Sequence, residues 1–294
     1  MADSNWGRWG PDDERGAMNL LTPDVVLAAT QVCRTGKTYS LALPIQRKGA
    51  PLYVSHRGVP QRLTLTNSGD EGEFAGDGYA PGVGANEDML ILASHNLTHM
   101  DALSHVYADE AMYNGFPAAS FTTHGGASRC DIRQTGSFAG RGVLLDLPRH
   151  FGLDVLEPGH PISSDELAAC ADAQGTPVGP GDILLVRTGW LDLFHRREGT
   201  MTQAGLGVDA VEFIADHDVV AVGADNSGVE VLPWDGDVAL NVHIELLVKR
   251  GVTLMEHLVL SELAADGCHE FLLCVGALPV TGAAGSPINP IAIG

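Results

Sequence analysis

The sequence predicts an α/β protein, and three features carry that prediction. Short apolar runs bounded by Gly and Pro alternate with helix-signature segments through the middle of the chain. The first third is richer in strand-like and irregular stretches. Finally, 45% hydrophobic content with 36 Gly and 16 Pro in 294 residues suits a loop-rich globular chain with enough apolar material for a core. We read residues 1–294 as a single domain, with 1–20 as an N-terminal arm.

The arm, N-W-G-R-W-G-P-D-D-E-R-G-A-M-N from Asn5 to Asn19, is irregular, yet Trp6 and Trp9 carry apolar area that gains free energy only when buried. The arm is expected to pack down over the chain's own pocket or a neighbouring subunit, or to serve as a plain core staple. Thr22-Pro23-Asp24 opens a helix to about Val32, with Thr22 as N-cap, Pro23 at the first helical position and Gly36 beyond the end. Thr38 to Ile45 reads as a strand broken by Pro44, and the L-T-L-T alternation within Gln61 to Asn67 as a half-buried strand. Ser68 to Glu87 is Gly-rich and acidic, a long loop whose Phe74 and Tyr79 suit a lid. Its acidic residues do not match EF-hand spacing.

A strand from Asp88 to Ala93 follows, and Ala108 to Asp131 is irregular. Phe138 to Leu147 is a buried strand, Ser163 and Glu166 form a capping box for a helix to about Ala173 closed by Gly175, and Asp182 to Arg187 is another buried strand. Val208 to Asp216 repeats helically, and Val219 to Ala224 is strand again. Asp237 can cap a helix to about Lys249, which Gly251 ends. V-T-L-M-E-H-L then runs extended, His269 to Leu278 reads as a central strand, and the Gly- and Pro-rich tail as loop.

Composition removes several function classes. A net charge of −20 repels phosphate backbones and anionic bilayers, so neither nucleic acid nor membrane is an expected partner. No leader-like head or membrane-length apolar run is visible, and the five cysteines form no C-x-x-C pair, which fits reduced thiols in a cytoplasmic protein. Dinucleotide, P-loop and nucleophile-elbow patterns are missing from the places where they would have to fall.

The chemistry gathers in S-H-N-L-T-H-M-D-A-L-S-H-V-Y, Ser94 to Tyr107, which holds His95, His99, Asp101 and His105. A regular helix would put His95 and His99 on one face but turn Asp101 off it. A regular strand would separate residues four apart by roughly 13 Å, too far for one ion. The spacing therefore predicts that the strand before it ends, that the chain curls through His95 to His99, and that a short extended piece delivers Asp101 beside them. Unrelated surface histidines are the bland alternative. His243 and Glu256, taken singly, also suit surface or helix-stabilising roles, but they can complete a metal shell or a second site.

These motifs together resemble the metal-dependent cyclase-like hydrolases that include bacterial kynurenine formamidase and isatin hydrolase. The mark of that family, H-x-x-x-H-x-D followed by a histidine four residues on, stands here as His95, His99, Asp101 and His105. Supporting stretches are the W-G-x-x-D-E-x-G-A-x-N arm, R-T-G-W at Arg187 to Trp190, G-A-D-N-S at Gly223 to Ser227, H-x-x-L-L at His243 and M-E-H-L at Glu256. Many members carry glycine where this chain has Leu97 and proline where it has Leu103, and the wording lies nearer to isatin hydrolases than to formamidases. A bulkier residue at these positions is expected to reshape the pocket.

The resemblance implies a swivelling β/β/α-type fold, assembly into homodimers or homotetramers, and Mn²⁺ or Zn²⁺ as cofactor. It makes His95, His99 and Asp101 metal ligands, His105 the catalytic or second-site histidine, and His243 with Glu256 liners of the cavity or ligands of a second ion. Because an imidazole titrates near neutrality, we assign His105 as general acid or base, with Glu256 in reserve. An ion held by two imidazoles and a carboxylate keeps positions open and lowers the pKa of a coordinated water from about 15.7 towards about 7. The expected reaction is opening of a small cyclic or N-acyl aryl amide, with Trp6, Trp9, Phe74 and Tyr79 as walls for a flat substrate. A lactone hydrolase, a biosynthetic cyclase and a non-catalytic metal- or ligand-binding protein are the alternatives.

Overall fold

The computed structural model describes residues 4–46, 57–70, 80, 82–195 and 201–294. In chain order the strands are β1 (Thr38–Ser40), β2 (Gln61–Thr66), β3 (Glu87–Ile91), β4 (His99–Asp101), β5 (Phe121–Thr122), β6 (Gly126–Ala127), β7 (Phe138–Asp146), β8 (Pro161–Ile162), β9 (Ile183–Arg187), β10 (Gly205–Leu206), β11 (Ala221–Ala224), β12 (Thr253–Glu256), β13 (Glu270–Val275), β14 (Gly285–Pro287) and β15 (Ile291–Ile293). Nine of them form one mixed sheet ordered β1-β15-β13-β7-β9-β11-β12-β4-β14. Its centre, β7-β9-β11-β12, is parallel. Strands covered on both faces need apolar side chains at every position, which is why they read as short continuous runs such as I-L-L-V. The mixed α/β class is as expected.

The local signals mostly become the expected elements. Thr22 caps helix Pro23–Ala29 by accepting from the Val25 amide. Both halves of the Ser163/Glu166 capping box are formed, and Gly175 ends helix Ser164–Gln174 in the left-handed conformation that glycine adopts at least cost. Four readings need correction. The Thr38 strand stops at Ser40, although the Leu41 amide still bonds to the Pro290 carbonyl at 2.9 Å. Asp237 does not cap the later helix. That helix starts at Asn241 after Leu240 at φ 59°, and it widens into a π-helical stretch, Ile244–Arg250. The tail from Pro279 to Pro290, expected to be loop, supplies β14, its proline tolerated because β14 is an edge strand.

The fourth correction concerns β2 and β3. They pair as a separate antiparallel ribbon in which Gln61 faces Ile91 and Leu63 faces Met89, so these lie on one side while Arg62 pairs with Asp88 on the other. The alternation was read correctly, but the apolar side is not half-buried. Leu63, Leu65, Met89 and Ile91 are 41%, 52%, 45% and 48% exposed.

The arm packs onto its own chain. The Asn5 amide and side chain and the Trp6 indole donate to the carbonyls of Lys249, Arg250 and Val248, which end a helix and would otherwise lack partners. Asp13 then accepts from Tyr113, Asn19 and the Gly16 amide. Gly16, at φ +57°, lies so close to Gly251 that a Cβ could not fit. Among the described residues no helix is long and apolar enough to cross a membrane.

Candidate metal centre

The curl expected before Asp101 is present. β3 ends at Ile91, the chain turns through Ser94 to Thr98, and the three-residue β4 carries His99 and Asp101. β4 lies between β12 and β14 with Glu256 opposite His99 and Gly285 opposite Asp101. Residues directly opposite in an antiparallel pair share a face. The His99 Nε2 consequently lies 3.6 Å from a Glu256 carboxylate oxygen and 3.7 Å from Asp101 Oδ1. His95 Nε2 reaches Asp101 Oδ1 at 3.4 Å, and His243 Nε2 stands 3.9 Å from Asp101 Oδ2 and 3.7 Å from Glu256 Oε1. His105 stacks on His95 with ring centroids 3.9 Å apart.

One carbonyl organises two of the rings. Leu97, at φ 56°, turns its oxygen so that it accepts from Nδ1 of both His99 and His257, at 2.7 and 2.8 Å. Their Nε2 atoms are thereby directed the other way. Thr98 Oγ1 donates to the His257 carbonyl at 2.7 Å and accepts from the Leu43 amide at 2.8 Å, fixing the two loops to each other. Sequence reading placed His257 beside Glu256 but gave it no role. It also missed Glu230, which accepts the Nδ1 proton of His243.

The test of a metal is what these atoms do without one. His95 Nε2, His99 Nε2, His257 Nε2 and both Asp101 oxygens are buried with no hydrogen-bond partner. Leaving one such group unsatisfied costs about 1–3 kcal/mol, so five gathered around one site call for a partner they do not supply to each other. Bonds of about 2.0–2.2 Å around a tetrahedral ion put neighbouring ligand atoms about 3.3–3.6 Å apart, close to the spacings here and longer than most hydrogen bonds. Three sets each bring one ligand atom per residue within 4.8 Å of one another: His95 with Asp101 and His105, His99 with Glu256 and His257, and Asp101 with His243 and Glu256. The donors fit one or two divalent ions.

Protonation agrees. Burial lowers His95 to about 3 and His257 to about 4 and also lowers His105, leaving these imidazoles neutral near pH 7 with lone pairs to offer. Burial acts to raise Glu256, but His99, His243 and His257 reverse this and hold it well below the usual carboxylate range. Burial likewise acts to lower His243, and its bond to Glu230 together with the nearby Glu256 and Asp101 carboxylates overcomes it, pushing the ring up to about 10. A cation at Nε2 would take the place of that proton.

A cavity of about 600 Å³ opens beside the cluster, lined by His105 and Ser104 and by largely apolar groups including Met112, Pro117 and Phe121. A larger one, about 770 Å³, lies at the ends of β7 and β9 around Arg149 and Arg187 and shares no lining residue with the histidines. Of the expected aromatic walls, neither Trp6 nor Trp9 lines the first cavity. Trp6 is bonded to Val248, and Trp9 packs against the main core under Arg8, so both act as staples. Phe74 and Tyr79 lie outside the described residues. Neither leucine lines that cavity: Leu97 packs with Leu43, Trp190 and Leu191 in a small separate cluster, and Leu103 belongs to the main core.

Two further motifs meet below the site. The amide and hydroxyl of Thr188 and the amide of Gly189 all donate to Asp225, which ties R-T-G-W to G-A-D-N-S.

The family model described as "Putative cyclase" matches residues 39–231. No curated protein matches the chain. A crystal structure described as a novel cyclase is 36% identical with a TM-score of 0.89, covering 99% of this chain and 97% of that one. A "predicted metal-dependent hydrolase from Bacillus stearothermophilus" is 20% identical at a TM-score of 0.55, covering 87% and 97%. Isatin hydrolase A from Labrenzia aggregata, bound to benzyl benzoate, is 16% identical at 0.59, covering 90% and 94%. The last two share the fold. The family model spans most of the chain and the 36% identical structure nearly all of it, so the chain belongs to the cyclase family.

Proposed function

We propose that this chain is a metal-dependent hydrolase that opens a small cyclic or N-acyl aryl amide, isatin-like in kind. The observation that carries the reading is the convergence of five unpartnered ligand atoms beside a largely apolar cavity. His95, His99 and Asp101 hold one divalent ion, His95 Nε2 and His99 Nε2 lying 3.4 and 3.7 Å from Asp101 Oδ1, with His257 next to His99. Asp101, His243 and Glu256 hold a second, and the ions are Mn²⁺ or Zn²⁺. Such an ion supplies Lewis-acid polarisation of a carbonyl and a nucleophilic water at neutral pH.

The chain's own groups do the rest. His105 lines the cavity and is held neutral by burial, so its free nitrogen can take the proton of the attacking water and return it to the leaving nitrogen. Ser104 Oγ, buried without a partner and lining the same cavity, can donate to a substrate acceptor. Met112, Pro117 and Phe121 exclude water around a flat apolar ring. Assembly into homodimers or homotetramers is part of the proposal, and the exposed apolar side of the β2-β3 ribbon supports it.

The test is a panel of isatin, N-formyl aryl amines and small lactones, run on chelated protein and on protein reconstituted with Mn²⁺ or Zn²⁺. Amide opening that vanishes on chelation and returns with metal is the expected result. Turnover of lactones alone would make the chain a lactone hydrolase. No turnover at full metal occupancy would favour a cyclase or a binder.

A further inference from the structure

Glu230 lies outside the motif stretch and is none of the ligands. Its side chain is almost wholly buried, and its two oxygens have different tasks. Oε2 accepts the Val242 amide at 3.2 Å in the first turn of the helix that bears His243. Oε1 accepts Nδ1 of His243 itself. The backbone beneath is pinned: Gln203 Nε2 donates to the Glu230 carbonyl at 3.1 Å, and Gly205 comes so close to it that a Cβ there would lie 2.4 Å from the carbonyl carbon.

We infer that Glu230 is the positioning residue of the Asp101-His243-Glu256 ion site, selecting the His243 tautomer and ring orientation that present Nε2 to the ion. With Nδ1 committed to Glu230, Nε2 is the only nitrogen left. It faces Asp101 and Glu256 at 3.9 and 3.7 Å, too far for good direct hydrogen bonds and suited to an ion between them. A carboxylate behind a ligating imidazole fixes the ring and raises its basicity, and losing such a partner typically costs 10–100-fold in metal affinity. Stability alone is a poor reason to bury this pair, since a buried ion pair seldom outperforms well-packed apolar residues. The inference rests on the metal reading above.

The test is Mn²⁺ titration of chelated full-length protein by calorimetry, for wild type, Glu230→Ala, Glu230→Gln, His243→Ala and the Glu230→Ala/His243→Ala double variant. Thermal melting without metal is recorded alongside. Glu230→Ala is expected to weaken one class of Mn²⁺ site by about 10–100-fold, and Glu230→Gln less, because its amide oxygen still accepts from Nδ1. Glu230→Ala should also abolish the far-downfield Nδ1 proton resonance of His243 in metal-free protein. In the His243→Ala background the Glu230 substitution should have no further effect on Mn²⁺ affinity. The assignment to Glu230 is overturned if Glu230→Ala binds Mn²⁺ as wild type does while His243→Ala is impaired, or if its effect persists without His243. Wild-type protein that binds no Mn²⁺, or a His243→Ala variant that binds it normally, would overturn the metal reading and this inference with it.

Discussion

Gly285 offers the most direct test of the centre because its effect can be worked out from contacts alone. It sits in β14 opposite Asp101, and a Cβ there would meet His95 Nε2 at 2.5 Å and the Met100 carbonyl oxygen at 2.8 Å. An ordinary contact is about 3.4 Å or more, so His95 would have to recede by about 0.9 Å. Metal–ligand distances tolerate only about 0.2 Å. The Met100 oxygen is backbone between two paired strands and has no rotamer to give. Gly285→Ala should therefore remove His95 from the ligand set at a cost of about 1–3 kcal/mol in overpacking. At about 2–4 °C per kcal/mol, that is a visible loss in melting temperature. Titration calorimetry with Mn²⁺ or Zn²⁺ should show at least about a 10-fold loss of affinity at one site, comparable to His95→Ala. Gly276→Ala, whose added Cβ meets nothing within 4 Å, is the control. Wild-type metal affinity in Gly285→Ala would refute the placement of His95 at the ion.

Three further outcomes are expected. His105→Ala should keep its metal content while kcat falls roughly 100-fold or more, and loss of metal together with rate would make His105 a ligand instead. Thr98→Val strands the Leu43 amide and the His257 carbonyl, so urea denaturation should register a loss of about 1–3 kcal/mol, and no loss would show the bridge between the two loops to be idle. Asp225 is raised to about 6 by burial, against the pull of the Thr188 and Gly189 donors and of Arg187. The folded protein thus holds this proton more tightly than the unfolded chain, whose value is about 3.9. The stability so gained is complete below about pH 4 and is lost as the pH rises through about 6. The gap in unfolding free energy between wild type and Asp225→Asn should shift against wild type by about 2–3 kcal/mol from pH 4 to 7, and a pH-independent gap would contradict it.

What could be read in advance follows physical lines. His95, His99 and Asp101 were legible because four- and two-residue spacing fits one ion only if a turn meets a short strand, and local geometry could test that. His257 was not, because its contribution depends on the left-handed backbone of Leu97, whose carbonyl orients a ring from a distant strand end. Glu230 lies in G-V-E-V-L-P, which has no periodicity to mark it, and its meaning comes only from helix Asn241–His243 folding over it. In the tail, β14 was hidden by its Gly and Pro, which an edge position permits and a central one would not. In the β2-β3 ribbon the period was right and the burial was not, since alternation reports which side is apolar but not what covers it.

The position of β4 also has a consequence for how the protein is made. Both strands that hold it, β12 and β14, lie far later in the chain, so the histidine-rich stretch leaves the ribosome long before its supports exist. Domains generally fold as units, and pairings of high sequence separation are slow to close. The nascent protein would then carry its signature residues without their geometry and become competent for metal only once β12 and β14 have emerged. A truncation that removes the last strands should leave the motif intact in sequence and useless as a chelator.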